Sequence, residues 1–175
     1  MYRIKRLDFN VAYACNLACK GCISLSDFDR RGVESLQDIE SQCNIWSKIV
    51  DPSIISIFGG EPLMHPRIEK VLTIIREAWP LAQIRFITNG YLLKRYDPEL
   101  WFRIGQLEMQ ISIHRQDHEK LITNEIKRIV SRRNGWNSIF FFDKKIFLDV
   151  VTDIQTDRRT RQTDGHTRQT DGQDR

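Results

Sequence analysis

Residues 54–62 read IISIFGGEP. The run 54–58 is apolar apart from Ser56 and too short for a helix, which makes it a short buried strand. Gly59 and Gly60 close it. Pro66 suits the first turn of a helix. Ile68, Val71, Leu72, Ile75, Ala78 and Trp79 then recur on one helical face, and Pro80 ends it. A strand, a glycine turn and an amphipathic helix thus follow each other within thirty residues or so, and the rest of the chain repeats the unit.

Upstream, LDFNVAY (7–13) alternates as a strand does, and Leu36, Ile39, Cys43, Trp46 and Ile49 mark a helix between Glu34 and Val50. Downstream, IRFIT (84–88) is a strand stopped by Asn89-Gly90, and Asp97-Pro98 starts a helix through about Ile104. LEMQISIH (107–114) alternates strictly. Leu121, Ile122, Ile126, Ile129 and Val130 mark a fourth helix, with Gly135 just past its end. SIFFF (138–142) and KIFLDVV (145–151) are strand-like, and too little chain separates them for a parallel crossover, which leaves a hairpin or one kinked strand.

Strands alternating with helices imply an α/β fold with a parallel sheet and right-handed crossovers. Functional residues in this class gather at the C-terminal ends of strands. The candidate motifs fall there: cysteines after the first strand, Gly59-Gly60-Glu61-Pro62 after the second, Thr88-Asn89-Gly90 after the third, Ser112 and His114 at the end of the fourth. The fourth strand has one apolar face (Leu107, Met109, Ile111, Ile113) and one polar face (Glu108, Gln110, Ser112, His114). Asp8 and Asn10 oppose Leu7, Phe9 and Val11 in the first. A fully covered parallel sheet is apolar on both faces, so the expected architecture is a partial TIM-like barrel of about five parallel strands around a polar lumen.

The composition changes near Thr152. Residues 152–175 hold 6 Thr, 5 Asp, 5 Arg and 4 Gln with a single apolar residue, Ile154, and TRQTDG occurs at 160–165 and again at 167–172. Such a segment cannot bury enough surface to offset its ordering entropy. The expected organisation is a core domain over 1–151, a barrel that looks cut short, and a disordered low-complexity repeat tail over 152–175, native or the product of a frameshift. A net charge of +4 with no basic block gives no sign of nucleic acid as a partner. The N-terminus carries no run long enough for a signal peptide or membrane span, so a cytoplasmic location and no membrane are expected. In that compartment clustered cysteines serve metals or redox chemistry more often than disulfides.

Three of the four cysteines lie in CNLACKGC (15–22), spaced C-x3-C-x2-C. Closed zinc and fully ligated cubane sites use four protein ligands. Three thiolates on one loop can hold three corners of a cubane and leave a fourth iron open. Alternatively, His65 or Cys43 completes a zinc site, or Cys19 and Cys22 form a redox pair. Cys43 sits on a helix's apolar stripe and is read as core. GGEP alone is equally an ordinary strand-to-helix turn, and Asn89-Gly90 a plain turn. His65 and His118 flank helix starts and are read as surface residues.

C-x3-C-x2-C after the first strand, GGEP after the second, ITNG after the third and the polar Ser112/His114 pair on the fourth together resemble the radical S-adenosylmethionine (radical SAM) superfamily, from about Phe9 to His114. The resemblance implies that Cys15, Cys19 and Cys22 ligate a [4Fe-4S] cluster whose open iron chelates S-adenosylmethionine (SAM). It implies that Gly59, Gly60 and Glu61 meet the SAM amino group and that Ser112, His114 and Asn89 contact SAM. It implies a reductant such as flavodoxin or ferredoxin and an unidentified small-molecule or peptide substrate that loses a hydrogen atom to a 5′-deoxyadenosyl radical. The position before the third cysteine, often aromatic in the family, is Gly21. The contrasting expectation is a non-catalytic remnant that binds a cluster without cleaving SAM.

Overall fold

The computed structural model of the chain describes residues 1–26, 31–113 and 119–130. The expected strands at 138–142 and 145–151, the tail from Thr152, and His114, His118 and Gly135 lie outside the described residues. Four strands, β1 (Tyr2–Ala12), β2 (Val50–Gly59), β3 (Gln83–Thr88) and β4 (Leu107–Ile111), form one parallel sheet in chain order. Helices α1 (Leu36–Trp46), α2 (Ile68–Ala78) and α3 (Pro98–Arg103) connect them, and α4 (Glu119–Val130) follows β4.

Two strands are longer than their patterns predict. β1 starts at Tyr2 because Tyr2, Arg3 and Ile4 pair with Val50, Asp51 and Pro52. Proline removes a ladder donor. It is tolerated here because β3 first pairs with β2 at Ile54, leaving that side of β2 without a strand neighbour at Pro52. The first helix is shorter than expected. Ser35 caps it by accepting the Asp38 N–H, and at its end the Ser47, Lys48 and Ile49 amides bond back to Cys43, Ile45 and Trp46. Trp46 and Ile49 are therefore 45% and 40% exposed and are not core. β4 ends at Ile111, and Ser112 follows it with its N–H on the Thr88 carbonyl (2.9 Å).

The sheet has two unlike faces. On the helix side the register aligns Leu7, Ile55, Ile84 and Leu107 in one row and Phe9, Ile57, Phe86 and Met109 in the next. Ile39 and Cys43 of α1, Val71, Leu72 and Ile75 of α2, Leu100 and Trp101 of α3, and Ile122, Ile126 and Ile129 of α4 belong to the same core. Trp79 stacks edge-on against Phe9 and donates its indole N–H to the Val50 carbonyl (3.0 Å). Burying each large apolar side chain contributes roughly 1.5–3 kcal/mol, so these two rows outweigh any single polar contact.

On the other face the register aligns Asp8, Ser56, Arg85 and Glu108. Glu108 accepts from Arg85 Nε (3.2 Å) and Nη2 (3.1 Å), from Gln83 (3.2 Å) and from Gln110 (2.8 Å). Of the polar face expected of strand four, Glu108 and Gln110 lie in β4, Ser112 lies just beyond it and His114 is outside the described residues; Glu108 partners side chains of both β3 and β4.

Arg76, near the end of α2, joins the opposite edge of the layers without a carboxylate. Its guanidinium donates to the carbonyls of Ala82 (2.6 Å), Gly105 (2.8 Å), Ile104 (2.9 Å) and Pro80 (3.1 Å), with longer bonds to Trp79 and Gln106 (both 3.4 Å). It thereby ties the turn into β3 to the turn into β4. Hydrogen bonds from a charged donor contribute roughly 1.5–3 kcal/mol each in favourable cases. Arg76→Met is expected to lower unfolding stability by about 3 kcal/mol, and Arg76→Lys by less, because three donors on a point charge cannot span both turns. The urea midpoint of each variant measures this; an unchanged midpoint for Arg76→Met refutes the role.

Candidate active site

The C-terminal ends of all four strands open on one cavity of about 350 Å³, lined by Cys15, Cys19, Cys22, Gly59, Gly60, Glu61, Thr88, Asn89 and Ser112 among others. The four motifs, scattered over about a hundred residues, are thus brought together, with His114 outside the described residues. Lys20 also lines the cavity and is exposed.

The cysteine loop leaves β1 and returns alongside it. Ala12 bridges Val33, the Tyr13 and Ala14 amides donate to the Gly32 carbonyl (3.0 and 3.1 Å), and the Glu34 amide donates to Val11 (3.1 Å). Tyr13 Oη and the Glu34 carboxylate bond each other across the loop's root. Both ends of a long excursion are therefore pinned, and the cysteines ride on a loop with a fixed base.

The paired glycines have a reason that the motif alone does not reveal. The Gly60 N–H donates to Ala12 O (2.7 Å) and the Glu61 N–H to Ala14 O (2.9 Å), so the end of β1 lies directly on the end of β2. A Cβ on Gly59 would sit 2.2 Å from Ala12 O, and one on Gly60 2.3 Å from Ala14 O. Glycine is needed for the close approach of backbone to backbone, which roots the cysteine loop against the second motif.

Glu61 follows at 0% exposure. Its Oε1 accepts from the Leu63 N–H (3.0 Å) and from Thr88 Oγ1 (2.6 Å), and its Oε2 from the Asn89 N–H (2.8 Å). Burial pushes its pKa above the usual carboxylate range, and the bonds from Thr88, Asn89 and Leu63 oppose that rise. The carboxylate is thus a clamp between the ends of β2 and β3. The sequence places Thr88 in the Thr88-Asn89-Gly90 motif but assigns it no role of its own. A signal existed: it follows Ile84 and Phe86 on the apolar face of β3, where a polar residue is out of pattern.

Asn89 is 5% exposed. Its Oδ1 accepts the Tyr91 N–H (3.1 Å), and its Nδ2 reaches Asn16 Oδ1 (2.8 Å) and Cys15 Sγ (3.9 Å). Cys15 Sγ also accepts the Leu17 N–H (3.4 Å). Burial raises the Cys15 thiol pKa; the Leu17 bond opposes this, while Glu61, Cys19 and Cys22 add to it. A cationic iron–sulfur core bound there would oppose that rise, since ligation requires the thiolate.

The zinc alternative fails on its fourth ligand. Cys43 is 3% exposed inside the core. His65, expected at the surface, is 2% exposed, with Nε2 on the Glu34 carbonyl (2.9 Å) and Nδ1 accepting the Arg67 N–H (3.1 Å). Both ring nitrogens are engaged in fixing the turn into α2. Among the described residues no three His, Cys, Asp or Glu side chains gather closely enough for a single metal ion. Three thiols around one cavity, with both candidate fourth ligands committed elsewhere, are a donor set compatible with the three-cysteine cluster that the motif resemblance implies.

Thr88→Val keeps the shape of the side chain and deletes the hydroxyl. Folding raises the Glu61 pKa, so the native state binds that proton more tightly. Its stabilising contribution is full below the unfolded pKa and is lost as pH rises through the folded one. Removing the hydroxyl widens the gap. The iron-free variant is expected to lose about 1–3 kcal/mol, more at about pH 8 than at about pH 4. Urea unfolding at both values checks this; a loss independent of pH contradicts it.

The family model of the Radical SAM superfamily matches residues 9–142. GTP 3′,8-cyclase of Peptoclostridium acidaminophilum is 31% identical over 100 residues, 56% of this chain and 31% of that protein. GTP 3′,8-cyclase of Staphylococcus carnosus is 25% identical over 138 residues, 75% of this chain and 38% of that protein. Molybdenum cofactor biosynthesis protein 1 of Dictyostelium discoideum is 24% identical over 136 residues, 77% of this chain and 20% of that protein. In these comparisons the chain spans well under half the length of each relative. The crystal structure of BtrN in complex with AdoMet and 2-DOIA shares the fold, with a TM-score of 0.62 at 18% identity over 83% of this chain and 59% of that one. With the family model matching more than half of its residues, the chain belongs to the radical SAM superfamily, whose cofactors are a [4Fe-4S] cluster and SAM.

Proposed function

We propose that this chain carries the cofactor-binding part of a radical SAM enzyme, with Cys15, Cys19 and Cys22 holding the cluster. The observation that carries the reading is the shared cavity: three thiols, none committed to a disulfide, face the Gly59–Glu61 turn and the Thr88–Asn89 strand end. A [4Fe-4S] cluster held there would supply the electron that cleaves SAM into methionine and a 5′-deoxyadenosyl radical, the species that would take a hydrogen atom from the substrate.

The chain's own residues have separable tasks in this reading. The pinned root of the cysteine loop sets where the sulfurs stand. The backbone around Gly59 and Gly60 offers acceptors to the SAM amino group, while the Glu61 side chain keeps that turn in place from beneath. Ser112, exposed beyond the end of β4, is the group for the polar part of SAM, and His114 is a second candidate on the sequence motif alone. Asn89, expected as a SAM contact, lines the same cavity, and its amide also reaches Asn16 and Cys15 of the cysteine loop. A flavodoxin- or ferredoxin-like donor supplies the electron, in a cytoplasmic setting. Given the relatives' names, GTP is the first substrate to test.

Anaerobic reconstitution with iron and sulfide is expected to give a brown protein, and dithionite with SAM is expected to yield 5′-deoxyadenosine. Cys19→Ala is expected to lose the intact cluster and reduce deoxyadenosine to background. A full cluster in Cys19→Ala overturns the ligand assignment. A full wild-type cluster that never cleaves SAM overturns the catalytic reading in favour of a binding remnant.

A further inference from the structure

The three cysteines are not equivalent. Cys15 Sγ receives two N–H groups, from Leu17 at 3.4 Å within its own loop and from Asn89 Nδ2 at 3.9 Å across the cavity from β3. No such bond reaches Cys19 or Cys22 among those found in the described residues. Asn89 can serve both of its partners because a carboxamide nitrogen carries two hydrogens. One is directed to Asn16 Oδ1 (2.8 Å) and the other to the sulfur. The amide cannot turn over freely, since its Oδ1 accepts the Tyr91 N–H (3.1 Å) and its backbone N–H is held by Glu61 (2.8 Å).

We infer that Asn89 is a positioning residue that orients the Cys15 end of the loop through Asn16 and, by its N–H on Cys15 Sγ, raises the reduction potential of the cluster. The inference rests on the proposal that Cys15 ligates that cluster. The physical cause is charge. Hydrogen bonds to thiolate sulfurs draw off electron density and stabilise the reduced, more negative cluster, and these bonds are among the determinants of iron–sulfur potentials. The site is partly buried, so a donor there acts in a lower dielectric than water. Because Asn89 is joined through its backbone to Glu61 and so to the end of β2, the donor is held by the same clamp that shapes the cavity.

The test is an EPR-monitored potentiometric titration of the reconstituted wild type and three variants, with iron and sulfide measured per chain. Asn89→Leu removes the donor at similar volume. Asn89→Asp keeps an oxygen for the Tyr91 N–H and places an acceptor where the donor stood. Asn16→Ala removes the loop anchor and leaves the N–H on the sulfur. Both Asn89 variants are expected to shift the midpoint to more negative values, by about a tenfold change in the one-electron equilibrium, about 59 mV, with Asn89→Asp shifting further. Asn16→Ala is expected to keep the wild-type midpoint. An unchanged midpoint in Asn89→Asp overturns the inference, as does an Asn16→Ala shift equal to that of Asn89→Leu. A wild type that binds no cluster overturns the underlying ligand assignment instead, so the two failures are distinguishable.

Discussion

A carboxylate buried at 0% exposure with no cation among its bonds needs donors, and Glu61 finds them in two separate chain segments. An unsatisfied buried carboxylate is far more costly than any ordinary surface contact. Glu61 is therefore accommodated because Thr88, the last residue of β3, and Asn89 just after it stand beside the turn that leaves β2. That requirement fixes the relative placement of the second and third motifs. From Asn89 the same chain of bonds continues to Asn16 and Cys15. The first motif is held a second time by the carbonyls of Ala12 and Ala14 on Gly60 and Glu61. One buried carboxyl group thus organises the ends of three strands around the cavity.

The sheet below serves a different physical purpose on each side. The apolar rows headed by Leu7 and Phe9 bind the helices, and their burial supplies the stability that a polar cavity cannot. On the opposite row of Asp8, Ser56, Arg85 and Glu108, the Arg85–Glu108 pair with its glutamine neighbours satisfies charges that would otherwise lie unpaired on a β surface. An alternating strand in a parallel sheet is the mark of a barrel wall, with a core outside and a polar lumen within.

Legibility followed periodicity. The strand and helix order, the strand-end placement of CNLACKGC, GGEP and ITNG, and the split faces of β4 could be read because each is a local pattern repeated at a fixed period. The errors arose where a local pattern stopped short of its three-dimensional cause. Trp46 and Ile49 continued a helical stripe on paper, but the helix ends at Trp46 and the chain enters β2 at Val50. His65 looked like a surface residue because nothing in sequence links it to Glu34, whose carbonyl it contacts from thirty-one positions away. Thr88 carried a faint signal as the polar residue on an apolar face.

By itself the sequence determined the family, the parallel α/β order and the set of residues at the strand ends, because motif spacing and side-chain periodicity are local properties of the chain. Only the tertiary structure decided what those residues do to one another. It showed that the two glycines make room for the β1 backbone, that the Glu61 carboxylate clamps β2 to β3, and that the Asn89 amide faces the cysteine loop. The physical reason is the same in each case. Close backbone approach, burial of charge and direction of a hydrogen bond depend on partners distant in sequence, and those partners meet only when the strands are brought side by side.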